Sequence, residues 1–401
     1  MRTPVILVTG QGDTAGATDA LLRQPGTVMV EHHLEGHFVR RTVARLQRHV
    51  VLKVDEILEL AHGCVSCTIR NDLLFLLRTL HHRGDVARIA VRLAPWLEPE
   101  PICFAINHVR VQIGPGYPVG PAAADVMIAG VVNCAEAAPW LTQALGDDAL
   151  PDGRTVAQVV VGQAEFADVL LLDEPAPREA AAVLQRLNPN AATVLNTDRL
   201  ESALASLDGN SRRGHISDAH AWLLAGAPPL EAAGAVQIIE FASRRPFHPQ
   251  RLHAALDVLL DGVIRTRGRL WLSSQPDHVM WLESAGGGLH TSDAGKWLAA
   301  MSDSERAYID PDRRALANLL WDDVIGDRHT SMVILVCGAE PTAVLAGLSG
   351  ALLTDAELSD PDSWSGHADP FGDWHVEPCD AGESDQESER LVNPSSRTRD
   401  D

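Results

Sequence analysis

The chain has 401 residues and a formal net charge of −21. This acidity argues against naked nucleic acid as the main partner and against direct sequence-specific binding, because phosphate backbones require a basic surface, although the folded part is only mildly acidic and leaves room for a local basic patch. No apolar run approaches the ~20 residues that cross a bilayer, and the N-terminal apolar run is too short for a secretory signal. We therefore expect a cytoplasmic protein without a membrane partner, whose hydrophobic content of 45% is sufficient for folded domains.

The negative charge is concentrated at the end of the chain. Fourteen acidic residues and three arginines lie from Asp355 to Asp401. The composition there also becomes rich in Ser, Pro and Gly, so we expect mostly disorder from about Ser359 onward. Trp364, Phe371 and Trp374 interrupt this tail, and we expect them to dock on a partner or on the body.

The first strand is followed by a loop of small residues. The apolar run Val5–Val8 predicts a buried parallel strand, and the segment from Thr9 to Thr18 predicts a glycine-rich loop that opens a helix. This layout cradles phosphates on backbone N–H groups. A P-loop has Lys-Ser/Thr after its second glycine, whereas Ala17-Thr18 stands here, which indicates a lost or weakened site. The residues of this degenerate phosphate loop are Gly10, Gly12, Gly16 and Thr18.

A cluster of potential metal ligands follows the second predicted strand, Thr27–Val30. Histidines and glutamates crowd the stretch from Glu31 to His37, in which His32 and Glu35 are candidate zinc ligands. The alternative is a solvated loop with chance histidines. The next segment, His37–His49, predicts an amphipathic helix, and Val50–Val54 predicts a strand.

Two cysteines, Cys64 and Cys67, stand three residues apart just before the helical run Asn71–Leu80. Two thiolates at this spacing can bind one metal ion, and a helix N-terminus stabilises a thiolate. The alternative is a turn with two ordinary small residues. Loops that follow adjacent parallel strands meet at one sheet edge, which favours a common ligand set with His32 and Glu35.

The remaining pattern predicts two domains. Strands alternate with helices over about 200 residues, which is typical of a doubly wound, mostly parallel sheet in an α/β domain. Strands then follow one another closely, which predicts a smaller α+β domain with an antiparallel sheet. We assign residues 1–205 to the first domain, 206–235 to a linker, 236–358 to the second domain and 359–401 to the acidic tail.

The motifs together resemble the CobW/YjiA-like family of P-loop GTPases and zinc metallochaperones. The resemblance runs from about Pro4 to Leu358. Seven pieces carry it in the family's order: GCVSCTIRNDLL, QAEFADVLLL, RRPFHPQRL, GVIRTRGRLWLSSQPD, AGGGLHTSDAGKWLA, GDRHTSMVIL and LLTDAEL. The resemblance implies a P-loop GTPase-like domain followed by a CobW C-terminal domain.

Several family residues are replaced. Ser66 stands at the middle cysteine of the family loop, and the phosphate-loop lysine is absent. Arg92 or a neighbour replaces the family acid, and a segment around Asp173 replaces the guanine-reading motif. Family glutamates after the second strand bind zinc, and His32 and Glu35 fall near those places. GTP is therefore a doubtful cofactor, no catalytic residue is assigned, and whether the chain is an enzyme is left open.

The pattern resembles a mycobacterial branch of the family whose members are named ribosome hibernation factor-recruiting GTPases. That resemblance implies an adaptor that brings a hibernation factor to the ribosome during zinc starvation, with zinc as ligand and the ribosome and the hibernation factor as partners. The alternative is a zinc metallochaperone GTPase that delivers zinc to client proteins. A third interpretation is a folded remnant with neither activity.

Overall fold

The computed structural model describes residues 1–61, 64–216, 218–224 and 226–372. Two sheets with their helices form the body of the molecule, and a two-stranded ribbon lies between α3 and β8. The N-terminal elements are β1 (Thr3–Gly10), α1 (Thr14–Leu22), β2 (Thr27–Glu35), β3 (Phe38–Gln47), β4 (Val50–Glu59), α2 (Val65–His82), β5 (Arg88–Arg92), α3 (Pro99–His108), β6 (Arg110–Val111), β7 (Gly120–Pro121), β8 (Val126–Ala135), α4 (Ala137–Ala144), α5 (Val156–Phe166), β9 (Val169–Leu172), α6 (Arg178–Leu187), β10 (Ala192–Val194) and α7 (Leu200–Ala205).

The N-terminal sheet has eight strands in the order β10-β9-β8-β1-β5-β2-β3-β4. All neighbouring pairs from β10 to β2 are parallel, which confirms the predicted doubly wound sheet. Side chains of β1 alternate between the two faces. Val5 and Leu7 lie in the core with α2, whereas Ile6 and Val8 lie in the core with α1, so helices bury both faces of the sheet.

The edge of this sheet differs from the prediction. Residues 38–47 form strand β3 rather than the predicted helix, and β2, β3 and β4 form an antiparallel meander. Both connections are two-residue turns. Gly36 has φ +61°, and Arg48 and His49 have φ +49° and +66°. Positive φ values suit the tight turns that join antiparallel strands, and these local turns override the helical pattern.

The C-terminal elements surround a five-stranded sheet in the order β11-β15-β12-β13-β14. All of its pairs are antiparallel, which confirms the predicted antiparallel sheet. They are β11 (Val236–Ser243), α8 (Pro249–Ala255), β12 (Val263–Leu270), β13 (His278–Ala285), β14 (Gly288–Lys296), α9 (Asp303–Ala307), α10 (Pro311–Leu319), β15 (Thr330–Cys337), α11 (Pro341–Ala351) and α12 (Asp355–Leu358).

The C-terminal sheet packs against helices of the N-terminal domain through a buried apolar interface. Ile238, Ile264 and Leu335 of the C-terminal sheet pack with Val161 and Ala164 of α5. The opposite face of this sheet packs against α8 and α11. The C-terminal sheet is therefore buried on both faces, once by its own helices and once by helices of the N-terminal domain.

The chain stays packed against the body beyond Ser359. The Trp364 indole N–H donates to the Glu357 carbonyl at 2.9 Å, and its ring lies edge-on to Trp271. Phe371 packs on the C-terminal core. Trp374 and the rest of the acidic tail lie outside the described residues. None of the described helices is long and apolar enough to traverse a bilayer.

Candidate functional site

The glycine-rich loop follows β1 at the carboxyl edge of the sheet. Gly10 has φ +117°, and a Cβ there would lie 2.0 Å from the Cys134 carbonyl oxygen, so only glycine fits. The Gly12 N–H donates to the same carbonyl at 2.9 Å. Gly10 and Gly12 therefore hold the loop closely against the end of β8.

The N-terminus of α1 already has an anionic partner within the chain. Asp13 is the N-cap, and its carboxylate accepts a hydrogen bond from the Gly16 N–H at 2.7 Å. A phosphate at this terminus would meet the Asp13 carboxylate, while Ala17 at the family lysine position supplies no cation. The Thr18 hydroxyl is buried and donates to the Thr14 carbonyl at 2.9 Å, so it is engaged inside its own helix.

The segment from Ala94 to Leu97 is held by hydrogen bonds from the glycine-rich loop and from α5. The Gln11 side-chain amide donates to the Pro95 carbonyl at 2.7 Å, and Gln163 donates to the carbonyls of Pro95 and Leu97. Nearby, Arg92 at the end of β5 forms an ion pair with Glu31 of β2. An arginine paired in this way cannot hold the magnesium ion that a family acid would hold.

The position expected to read a base also has a local role. The Asp173 carboxylate follows β9 and accepts a hydrogen bond from the Ala137 N–H at 3.1 Å, at the first residue of α4. This contact engages the carboxylate with the terminus of a helix. Side chains at the phosphate loop, at the end of β5 and after β9 are thus all engaged in contacts within the chain.

The thiol loop leads directly into α2. Cys64 is the N-cap of this helix, and its sulfur accepts a hydrogen bond from the Cys67 N–H at 3.2 Å. The Thr68 hydroxyl donates to the Cys64 carbonyl at 2.8 Å and accepts from the Ala61 N–H at 2.8 Å. Both cysteines are half-buried, and His62 and Gly63 lie outside the described residues. A sulfur at a helix N-terminus that accepts a backbone N–H is in a setting suited to metal coordination.

The structure places His32 and Glu35 on strand β2 rather than in a loop. His32 is 4% exposed, and its Nε2 lies 2.7 Å from an Asp72 carboxylate oxygen on α2. The same carboxylate accepts from Arg41 at 2.5 Å, while Glu35 accepts from Arg40 at 2.6 Å. His32 therefore reaches the helix that carries the cysteines, but both predicted ligands are bonded to other side chains.

No group of three or more His, Cys, Asp or Glu side chains is placed to hold an ion anywhere in the described ranges, including around Cys64 and Cys67. Burial disfavours thiolates at the other described cysteines. It raises the pKa of Cys103 well above its ordinary value, raises that of Cys134 to about 12 and raises that of Cys337. Of the described thiols, Cys64 and Cys67 are therefore the pair best suited to a metal.

A charged cluster joins the two domains and was missed by the sequence analysis. Glu165 of α5 pairs with Arg265 at 3.0 Å and with Arg267 at 3.1 Å, and Arg265 also pairs with Glu283 at 2.5 Å. The cluster borders a cavity of about 270 Å³ between the domains, also lined by Glu100. Burial raises the pKa of Glu100, and the described arginines Arg267 and Arg212 offset it only through their charge. The Arg-x-Arg spacing on one strand was the available signal.

The chain belongs to the CobW family. Residues 29–195 match the CobW/HypB/UreG nucleotide-binding domain, and residues 236–352 match the cobalamin synthesis protein CobW C-terminal domain. The first match begins after the glycine-rich loop. The family thus accounts for both sheets and for their order along the chain.

Particular relatives are similar over nearly the whole chain. Zinc chaperone Rv0106 of Mycobacterium tuberculosis is 62% identical over 379 residues, which cover 94% of this chain and 95% of that protein. An uncharacterized protein of Mycobacterium bovis has the same identity and coverage. The zinc-regulated GTPase metalloprotein activator 1 of Dictyostelium discoideum is 25% identical over 80% of this chain and 71% of its own length.

The solved structures that resemble this chain are more distant in sequence. The Zn(II)-bound YjiA GTPase of Escherichia coli is 14% identical, with a TM-score of 0.36, and the match covers 88% of this chain and 100% of that one. This distance is too large to transfer any detail of its site.

Proposed function

We propose that this protein is a zinc metallochaperone that binds zinc through Cys64 and Cys67 and passes it to a client protein in the cytoplasm. The observation that carries the proposal is the pair of half-buried thiols at the N-terminus of α2. The 62% identity to a protein named as a zinc chaperone supports it. A reducing compartment keeps such thiols available as ligands.

The geometry suits delivery better than storage. Zinc in structural sites is held by four protein ligands, and a site with fewer leaves positions open for exchange. Two thiols supplied by one loop provide half of a tetrahedral set. The remaining positions are then available to solvent or to ligands of the client. We expect a transferable ion rather than a permanent one.

The nucleotide site enters the proposal only as an inherited scaffold. Asp13 places a carboxylate at the terminus of α1, Arg92 is paired with Glu31, and the Asp173 carboxylate is engaged by the Ala137 N–H. Each of these contacts disfavours nucleotide binding. We therefore propose that zinc binding and release do not require GTP.

The adaptor hypothesis receives less support than its alternative. Two of the relatives described above are named for zinc chaperoning or as a zinc-regulated GTPase, and none of the relatives' names mentions a ribosome or a hibernation factor. The metallochaperone alternative is therefore the function we put forward. The domain limits of residues 1–205, 206–235, 236–358 and 359–401 stay part of the proposal.

Competition with a chromogenic zinc chelator tests the site. We expect Cys64→Ser and Cys67→Ser each to lower zinc affinity by about 10- to 100-fold, as loss of a ligand or of its support does. Cys337→Ser is the matched control, since it removes a half-buried thiol on β15, in the other domain, and should leave affinity unchanged. Unchanged affinity in both loop variants would refute the proposed site.

The same titration assigns the remaining predicted ligands. His32 and Glu35 must leave Asp72 and Arg40 before they can reach a metal. If they complete the set, His32→Gln and Glu35→Gln will each lower zinc affinity about tenfold or more. If affinity is unchanged, the ligand set of this protein consists of the thiols and groups other than these two.

A further inference from the structure

The outer strand of the N-terminal sheet, β4, is unusually exposed. Nine of its ten residues are exposed, and its outer edge has no strand partner among the residues that the structure describes. The exposed fractions of Val50, Val54 and Ile57 are 59%, 69% and 66%. A long apolar edge strand is an open template for pairing with another strand, and proteins usually shorten or cover such edges.

Both faces of β4 contribute to this apolar edge. Val50, Leu52 and Val54 lie on one face of the strand, and Val51 and Ile57 lie on the other, because successive side chains alternate. Apolar side chains on both faces favour a partner strand that continues the sheet rather than a helix laid on one face. The occupant is therefore a β-strand.

We propose that this strand is β4 of a second copy of the chain, paired antiparallel about a two-fold axis at Val54. A two-fold axis perpendicular to a sheet keeps each face on its own side, so directly opposed residues have numbers that differ by an even amount. Centring on Val54 places Lys53 opposite Asp55 twice. The same register places Val51 opposite Ile57 twice, on the same face.

Charge selects this register over its neighbours. A two-fold axis at residue 53 would oppose Lys53 to its own copy, and an axis at residue 55 would oppose Asp55 to its own copy. Like charges directly opposite each other destabilise a strand pair, whereas opposite charges stabilise it. Lys53 is one of only two lysines in the chain. A lone lysine protects an edge from pairing, but here the aspartate two residues further on the same face neutralises it.

The sheet can accept this extension. β4 is held to the body by a continuous antiparallel ladder with β3, from Gln47 opposite Val50 to Phe38 opposite Glu59. Pairing of two β4 strands would join two eight-stranded sheets into one. The interface lies on the hairpin side of the sheet, apart from the cavity between the domains, and it requires neither zinc nor nucleotide.

Sedimentation velocity of the full chain, run with a zinc chelator, tests the proposal. The protein should form a dimer that dissociates on dilution. Lys53→Asp opposes two carboxylates at each pair and Asp55→Lys opposes two ammonium groups, so each variant should weaken the dimer about tenfold or more. The double variant Lys53→Asp/Asp55→Lys exchanges the charges and should restore it.

Mixing the two single variants gives a sharper result. In a mixed pair, the carboxylates at positions 53 and 55 of one chain face the ammonium groups at positions 55 and 53 of the other. The mixture should therefore form a heterodimer although neither variant pairs well with itself. Formation of the heterodimer also shows that both variants are folded, including Asp55→Lys, which loses the hydrogen bond from Thr42 to Asp55. The variant Cys64→Ser/Cys67→Ser should dimerise like the parent, which separates strand pairing from bridging by metal.

Three outcomes would overturn the proposal. One is a parent chain that stays monomeric at high concentration, as expected if the edge accepts only a client strand. Another is a dimer that both single variants leave intact. The third is a mixture of single variants that does not associate, since the register then cannot be the one centred on Val54.

Discussion

Asp13 shows how one side chain changes what a loop can bind. Its carboxylate caps α1 by accepting from the Gly16 N–H, and a Cβ on Gly16 would come within 2.1 Å of that carboxylate. Glycine at position 16 therefore leaves room for this contact within the chain. The sequence alone shows that the phosphate-loop lysine is missing. The capping contact depends on the fold of the loop and could be recognised only in the structure.

Removal of this cap should destabilise the protein. We expect Asp13→Ala to lower the free energy of unfolding by about 1 kcal/mol, which is typical of losing an N-cap side chain. Urea denaturation measures the change. Asp19→Ala, an exposed aspartate in the same helix, is the control and should change stability by less than about 0.5 kcal/mol. Equal effects of the two substitutions would show that Asp13 does not cap the helix.

The cysteine pair was the most predictable part of the site. Its spacing and the helical run after it place two thiols at a helix N-terminus, which is where Cys64 and Cys67 lie. The wider ligand set was less predictable, because it depends on which side chains meet across β2, β3 and α2. The bonds from His32 to Asp72 and from Glu35 to Arg40 are such tertiary contacts.

At the scale of elements, the main error is the segment from 38 to 47. Apolar residues in this stretch fit a helical period, but buried Val39 and Ala44 lie on opposite faces of a strand. The turns on each side decide the outcome, since Gly36 and the Arg48-His49 pair adopt positive φ. Single-sequence periodicity underweights such turns when they lack an Asn-Gly or Asp-Gly signature.

The contact between α5 and the C-terminal sheet depends on a buried carboxylate. Glu165→Gln would leave Arg265 and Arg267 with Glu283 as the acid that pairs with them among the described residues. We expect a loss of about 3 kcal/mol in unfolding free energy, since breaking a buried ion pair strands its partner charge. Denaturant unfolding measures it. Glu201→Gln breaks the more exposed pair with Arg88 and should cost less than about 1 kcal/mol.

This carboxylate also gives the stability a pH dependence. Burial raises the pKa of Glu165, but Arg265 and Arg267 outweigh burial and hold it below the ordinary value. A lowered pKa contributes stability that is present above the ordinary pKa of about 4.3 and is lost as pH falls below it. The difference in unfolding free energy between the parent and Glu165→Gln should therefore shrink as the pH falls below 4. A constant difference down to pH 3 would contradict the assignment.

At the scale of the whole molecule, the architecture was predictable because hydrophobic periodicity reports on burial. Apolar runs separated by helical segments predicted the parallel sheet, and closely spaced strands predicted the antiparallel one. The docking of the two sheets was not predictable, because Glu165 lies some 100 residues from Arg265 and only the fold brings them to 3.0 Å. The family relationship gives the order of the domains, whereas the state of the nucleotide site follows from contacts that only the structure shows.

The account as a whole depends on thiols that bind metal on a scaffold that no longer uses nucleotide. Cobalt(II), which replaces zinc and absorbs in the near ultraviolet when bound to thiolate, tests this directly. We predict a thiolate charge-transfer band on adding Co²⁺, its loss in Cys64→Ser/Cys67→Ser, and no change on adding Mg²⁺ and GTP. A spectrum without that band, or a band that forms only when GTP is present, would contradict the account.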